Sequence, residues 1–266
     1  MTILERIIDD KRAEVARLKQ QTGIEQLRKQ VSTMGRCRNF YRAVTKPNRR
    51  GLNVIAEIKK ASPSAGIIRE NFDPVEIARI YQKCGADAIS ILTDEKYFQG
   101  KLQYIQQVKE AVDLPLLRKD FIIDQWQLFE SRAAGADAVL LIAEVLRPAE
   151  LMDLMITAAE LTMTCLIEVH SADTLLAVRS MIGFPKKGSN VLGINNRNLK
   201  TMKTDLNTTS RLTNLLNDRT ELVSESGINN KDDVEKLISV GVRAVLIGQS
   251  LCESNDIEKK FIELFG

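Results

Sequence analysis

Gly85-Ala86-Asp87-Ala88-Ile89-Ser90-Ile91-Leu92-Thr93 is the stretch that decides the fold. Its glycine ends a helical pattern that starts at Asp73-Pro74, an N-cap followed by proline in the first turn, and Ala88 to Thr93 reads as a buried strand. The same tetrad returns as Gly135-Ala136-Asp137-Ala138 and, more loosely, as Gly241-Val242-Arg243-Ala244, each time between helical spacing and an apolar strand. A helix-stop, strand-start unit is being repeated.

Carried along the chain, this beat predicts strands over 54–59, 88–93, 114–119, 138–143, 164–169, 191–196, 221–226 and 244–249. Near-continuous apolar strands separated by helices imply a parallel sheet covered on both faces. Eight such units in 266 residues favour the α/β class and a single (β/α)8 TIM barrel over residues 1–266. An open doubly wound sheet stays as the alternative, although no Gly-x-Gly-x-x-Gly turn follows the first strand.

Residues 1–47 precede the barrel. From Thr2 to about Gln30, Ile3, Leu4, Ile7, Ile8, Val15 and Leu18 fall near a helical period, which predicts an N-terminal helical extension that braces the scaffold or covers a pocket. Arg36 to Arg50 reads as a basic connector with mostly solvated charge.

With 38 basic and 35 acidic residues the net charge is +3, and no basic run interleaves with aromatics, so nucleic acid is excluded as a partner. Cys37, Cys84, Cys165 and Cys252 form no Cys-x-x-Cys pair, which argues against a metal cluster or dithiol centre and for free thiols in a reducing compartment. No apolar run is long enough to span a bilayer and the N-terminus is charged too early for a signal peptide. A cytoplasmic monomer with no membrane partner is expected.

In a barrel of this kind the carboxyl ends of the strands share one face, where chemistry is done. Collected there are Glu57 with Lys59, Arg118-Lys119-Asp120, Glu168-Val169-His170, Asn195-Asn196-Arg197 and Glu225-Ser226-Gly227. Strand parity supports the set, because Leu117 with Lys119, Leu166 with Glu168, Gly193 with Asn195 and Val223 with Glu225 are i, i+2 pairs on one face. Singly, each charge is equally a rim ion pair. Together, they predict a site.

Ser226-Gly227 and Gly248-Gln249-Ser250 follow the last two strands and suit a phosphate, with Lys59 and Arg197 as added charge; ordinary turns are the alternative. Pro63, Phe98, Phe121 and Leu199 lie just past strand ends and would form an apolar wall. His170, the only histidine, cannot build a multi-histidine metal site and is read as a bystander; Trp126 is read as packing. Lys119 beside Glu168 supplies an acid and a base, and Lys59 with burial would lower the Lys119 pKa towards the working pH.

Six segments then resemble a known family. They are Ile55-Ala56-Glu57-Ile58-Lys59-Lys60-Ala61-Ser62-Pro63-Ser64, Ile91-Leu92-Thr93-Asp94-Glu95-Lys96-Tyr97-Phe98-Gln99-Gly100, Leu117-Arg118-Lys119-Asp120-Phe121-Ile122, Leu166-Ile167-Glu168-Val169-His170, Gly193-Ile194-Asn195-Asn196-Arg197-Asn198-Leu199 and Ser224-Glu225-Ser226-Gly227-Ile228. In this order and spacing they resemble indole-3-glycerol-phosphate synthase of tryptophan biosynthesis, over nearly the whole chain.

The resemblance implies a carboxy-lyase that converts 1-(2-carboxyphenylamino)-1-deoxyribulose 5-phosphate, a phosphorylated aromatic amine, to indole-3-glycerol phosphate, carbon dioxide and water. It implies no metal and no organic cofactor. By its motifs Lys119 is the general acid, Glu168 the partner acid/base and Lys59 a substrate-binding lysine, with Glu57, Asn195 and Glu225 assisting. Ser62, Pro63, Phe98, Phe121, Arg197, Leu199, Ser226, Gly227, Gly248 and Gln249 would bind substrate. Gln249 departs from the Glu or Ser expected there, which leaves only its backbone role. The single barrel does not look like fused forms carrying an isomerase. A Schiff-base isomerase or aldolase and a non-catalytic scaffold remain the competing readings.

Overall fold

The computed structural model describes residues 2–181, 188–198 and 201–266. Eight parallel strands close into a barrel: β1 (Asn53–Ile58), β2 (Ala88–Leu92), β3 (Leu116–Lys119), β4 (Ala138–Ile142), β5 (Thr164–Val169), β6 (Asn190–Asn195), β7 (Leu222–Glu225) and β8 (Ala244–Ile247). Each pairs with its sequence neighbours, and β1 closes the ring by pairing with β8, Asn53 opposite Ala244. Helices alternate with the strands on the outside.

The repeated Gly-Ala-Asp-Ala unit has a structural reason. Gly85 and Gly135 hold φ of +84° and +98°, left-handed values that cost glycine little, and each stops a helix. The aspartates that follow are buried: Asp87 accepts from the backbone N–H of Val54, and Asp137 from that of Leu116, so each carboxylate ties its loop to the neighbouring strand.

Two apolar layers result from strand alternation. Strand side chains pointing outward, among them Val54, Val139 and Ile167, pack against helix residues such as Ile77, Tyr81 and Leu237. Those pointing inward, including Ile55, Leu117, Leu140, Leu166, Val223 and Leu246, fill the barrel.

The segment read as a solvated basic connector is different. It contains a short helix, Phe40–Thr45, whose Phe40 and Val44 are fully buried in the interior layer and stopper the amino-terminal end of the barrel. Burying such side chains stabilises by roughly 1.5–3 kcal/mol each, enough to outweigh solvating the charges around them. Arg38 is likewise no free charge, since its guanidinium donates to the carbonyls of Lys109, Val112 and Leu114.

The N-terminal extension is two helices, α1 (Ile3–Gln21) and α2 (Ile24–Ser32), broken at Thr22-Gly23. Thr2 caps α1 in a capping box with Glu5. Val15, Leu27 and Trp126 form one cluster, and the Trp126 indole donates to the carbonyl of Thr22 at 2.8 Å, so the packing role of Trp126 is specifically to hold the α1–α2 corner. Lys11 is only 2% exposed and makes ion pairs of about 3.0 Å with both Asp94 and Asp120, which lie past β2 and β3. That buried cation fixes α1 over the carboxyl end of the barrel. Among the described residues no helix is long and apolar enough to cross a membrane.

Candidate active site

The carboxyl ends of the strands surround a cavity of about 470 Å³, within the range of small-molecule sites. Inward parity carries Glu57, Lys119, Glu168, Asn195 and Glu225 to its floor, one layer above Leu140 and Leu246. All but Lys119 are under 9% exposed.

Lys119 stands at the centre. Its Nζ lies 3.3 Å from Oε2 of Glu168 and 3.5 Å from Oε2 of Glu225. Burial opposes its charge, but Glu168, Glu225 and Glu57 together raise its pKa above the ordinary lysine value. This corrects the sequence-based expectation of a lowered pKa: three carboxylates outweigh any effect of a second ammonium. Lys59 instead pairs with Glu57, Nζ to Oε1 at 2.7 Å, from just past the end of β1.

The carboxyl groups are not equivalent. Burial pushes Glu57 up, yet Lys59 and Lys119 hold it below its usual value. Glu168 is buried as well but is held down by Lys119 and by His170. Glu225 goes the other way, raised by burial and by the neighbouring Glu168 charge. The two carboxyl groups lie within hydrogen-bond reach of each other, an arrangement that favours a protonated Glu225 beside an ionised Glu168.

Two glycines make room for these groups. A methyl group on Gly193 would lie 2.3 Å from Oε1 of Glu225, and one on Gly248 would lie 2.4 Å from Oε1 of Glu57. Neither position tolerates a side chain without moving a carboxylate.

Around the mouth, Arg197 reaches across, donating to Ser64 Oγ at 2.6 Å and to Gln249 Oε1 at 3.3 Å. The Gln249 side chain thus has a partner even though it departs from the pattern expected there. Asn195 Oδ1 accepts from the Arg197 backbone N–H, so its amide is oriented by the turn that carries the arginine. Phe98 and Phe121 lie with ring centroids 6.2 Å apart and, with Pro63, form the apolar wall. Ser62 is 8% exposed at the cavity edge, its hydroxyl accepting from Ala65 N–H. On the other side Ser226 (φ +67°) and Gly227 (φ +81°) turn the chain sharply, and Gly248 and Gln249 line the same edge. A serine in the left-handed region is uncommon and marks a conformation imposed by its surroundings. Leu199 lies outside the described residues.

Several contributors stood outside the candidate set of site residues. Ile3, Leu4 and Ile7 of α1 form part of the cavity wall, so the extension both braces and covers. Asn196 is buried behind Asn195 and donates to Ser224 Oγ and to the carbonyls of Glu225 and Ser226, fixing the end of β7. His170 meets Glu168 at 3.3 Å. The alternation that singled out Glu168 passes through His170 as well, so the signal for its contact was present.

The arrangement offers an ammonium between two buried carboxyl groups of opposite tendency, an apolar wall, and two glycine-bearing turns. The family model for indole-3-glycerol phosphate synthase matches residues 4–264. The indole-3-glycerol phosphate synthase of Geobacillus thermodenitrificans (strain NG80-2) is 51% identical over 229 residues, 86% of either chain. That of Geobacillus kaustophilus (strain HTA426) is 46% identical over 264 residues, 99% of this chain and 97% of the relative. Among solved structures, 3-hexulose-6-phosphate synthase from Salmonella typhimurium superposes with a TM-score of 0.62 at 12% identity, covering 80% of this chain and 96% of that one, a likeness of fold alone.

Proposed function

We propose a mechanism from one premise: this chain belongs to the indole-3-glycerol phosphate synthase family. The family's place is tryptophan biosynthesis and its chemistry that of a carboxy-lyase. The substrate, 1-(2-carboxyphenylamino)-1-deoxyribulose 5-phosphate, closes its ring, loses carbon dioxide and then loses water.

That sequence sets a proton balance. The ketone oxygen must gain a proton as the ring carbon bearing the carboxylate attacks, carbon dioxide then leaves with its bonding pair returned to the ring, and in dehydration a carbon-bound proton is removed while the hydroxyl is protonated as it departs. Two protons are delivered and one is taken away. Lys119, kept as an ammonium by the surrounding carboxylates, delivers to the ketone oxygen. Glu168, kept ionised, removes the carbon-bound proton. Glu225, biased to its acid form and 3.5 Å from Lys119, restores the proton that Lys119 has given up, and the recharged Lys119 delivers the second proton to the departing hydroxyl. Lys59 and Glu57 form a pair that places substrate, and Asn195 and Arg197 complete the rim.

The phosphate is assigned to the turns at Ser226-Gly227 and Gly248-Gln249, the loops after the seventh and eighth strands that serve this purpose in barrels. The aromatic ring is assigned to the wall of Phe98, Phe121 and Pro63 with Ser62 beside it. No membrane or nucleic-acid partner enters this scheme, and a cytoplasmic monomer suffices for it.

The observation carrying the scheme is the position of Lys119 Nζ between Glu168 and Glu225 at the cavity floor. Lys119→Ala should fold and lose about 10²–10⁴ in turnover, followed as indole-3-glycerol phosphate fluorescence. Retained turnover would remove Lys119 from its role. Borohydride reduction in the presence of substrate should trap no adduct; a trapped lysine adduct would favour the Schiff-base reading instead.

A further inference from the structure

Glu168 and Glu225 compete for one ammonium. They project inward from β5 and β7, on either side of β6, and the missing side chain at Gly193 lets Glu225 lie against that strand beside Glu168. Two carboxyl groups in such proximity do not both ionise easily. Lys119 does not decide between them, because its two distances differ by only 0.2 Å (3.5 minus 3.3).

His170 does decide. It lies one residue past β5 and on the same side of the chain as Glu168, two residues before it. Its Nε2 is 3.3 Å from Oε1 of Glu168, the oxygen not facing Lys119, at ion-pair distance though off the line of a good hydrogen bond. From behind, Glu144 clamps it twice: one oxygen accepts the His170 backbone N–H at 2.7 Å and the other meets Nδ1 at 3.0 Å. With Nδ1 committed to Glu144, the remaining ring nitrogen is turned to Glu168.

We propose that His170 is a positioning residue for the reaction, clamped by Glu144 so that it makes Glu168, rather than Glu225, the member of the carboxyl pair that carries the negative charge. This rests on the assignment of Glu168 as the base. Burial disfavours the His170 charge, but Glu144 and Glu168 overcome it and raise its pKa to about 10, so the ring is cationic at neutral pH. Glu168 then has cations on both sides. The groups facing it are Lys119 from β3, Glu225 from β7, Glu57 from β1 and His170; those facing His170 are Glu144 and Glu168.

The proposal is tested on the whole enzyme with His170→Asn, His170→Gln and Glu144→Gln, taking kcat and KM against pH with Glu168→Gln alongside. Asparagine matches the Nδ1 donor to Glu144 but does not reach Glu168, whereas glutamine reaches Glu168 without a charge. His170→Asn should lower kcat at neutral pH at least tenfold, leave KM within about threefold, and move the acid limb of kcat/KM up by about one pH unit or more, the size of effect a lost neighbouring charge has on a carboxylate. His170→Gln should recover part of kcat yet keep the displaced limb, and Glu144→Gln should displace it less and in the same direction. A limb unchanged in both His170→Gln and Glu144→Gln overturns the proposal, whether or not His170→Asn folds. Wild-type turnover in Glu168→Gln would instead overturn the assignment of the base, a separate and distinguishable result.

Discussion

Gly193 and Glu225 are in contact through the absence of a side chain: the place a methyl group on Gly193 would take is 2.3 Å from Oε1 of the glutamate. The space belongs to a catalytic-floor carboxyl group. Gly193→Ala should therefore cost activity more than stability. Overpacking of this kind destabilises by about 1–3 kcal/mol, while displacement of Glu225 from Lys119 should lower kcat at least tenfold. Thermal melts and turnover on the same preparation check both, and unchanged kcat would show that Glu225 need not sit where it does.

Lys11→Met should be among the most damaging substitutions outside the cavity. Lys11 is the buried cation shared by Asp94 and Asp120, and its removal leaves Asp94 without an ammonium while Asp120 keeps only its pair with Arg118. Breaking a buried ion pair in this one-sided way costs about 3–5 kcal/mol. Urea titration measures it, and a loss under 1 kcal/mol would mean that water replaces the ammonium.

Stability should respond to pH through Glu225. Its folded-state pKa is raised above the ordinary 4.5 by burial and by Glu168, so the native chain holds that proton more tightly than the unfolded one. The resulting stabilisation is fully present below 4.5 and is lost as pH rises through the higher folded value. Glu225→Gln removes this dependence. The stability of the variant relative to the parent should accordingly increase from pH 5 to pH 9, as read by denaturant melts at each pH. A difference that stays flat or decreases with pH would contradict the raised value.

Arg197→Ala should act on binding. The guanidinium spans the mouth from Ser64 to Gln249, remote from Lys119's contacts with Glu168 and Glu225. Charged hydrogen bonds contribute about 1.5–3 kcal/mol, so KM should increase by about tenfold or more with a smaller change in kcat, the pattern of lost uniform binding. A kcat effect larger than the KM effect would place Arg197 in the chemistry.

Much of this architecture was legible in the sequence because it depends on local periodicity. The Gly-Ala-Asp-Ala beat located the strands to within a residue or two at most ends, and i, i+2 parity put Lys119, Glu168, Asn195 and Glu225 on one face, where the barrel gathers them. What stayed hidden depends on partners distant in sequence. Phe40 and Val44 sit among arginines, and nothing local says that the barrel needs a plug. Lys11 reads as one more exposed lysine until Asp94 and Asp120 come to it from more than 80 residues away. The pKa of Lys119 was misjudged because its sign depends on how many carboxylates surround it, a three-dimensional count. His170 lies two residues past Glu168 and so could reach the pocket, but it reads as a bystander in sequence because the Glu144 clamp that turns its ring to Glu168 comes from another strand's loop.

The interior of the barrel, filled by Ile55, Leu117, Leu140, Leu166, Val223 and Leu246 and closed below by Phe40 and Val44, also governs traffic. With no passage through that packed interior, arriving substrate and departing indole product share the doorway that Arg197 straddles between Ser64 and Gln249. A latch that lengthens the stay of one lengthens the stay of the other. Selection for a tighter grip on incoming substrate would thus be felt as slower discharge, and an arginine tethered by two neutral groups, easily exchanged for a passing anion, is a workable compromise between the two.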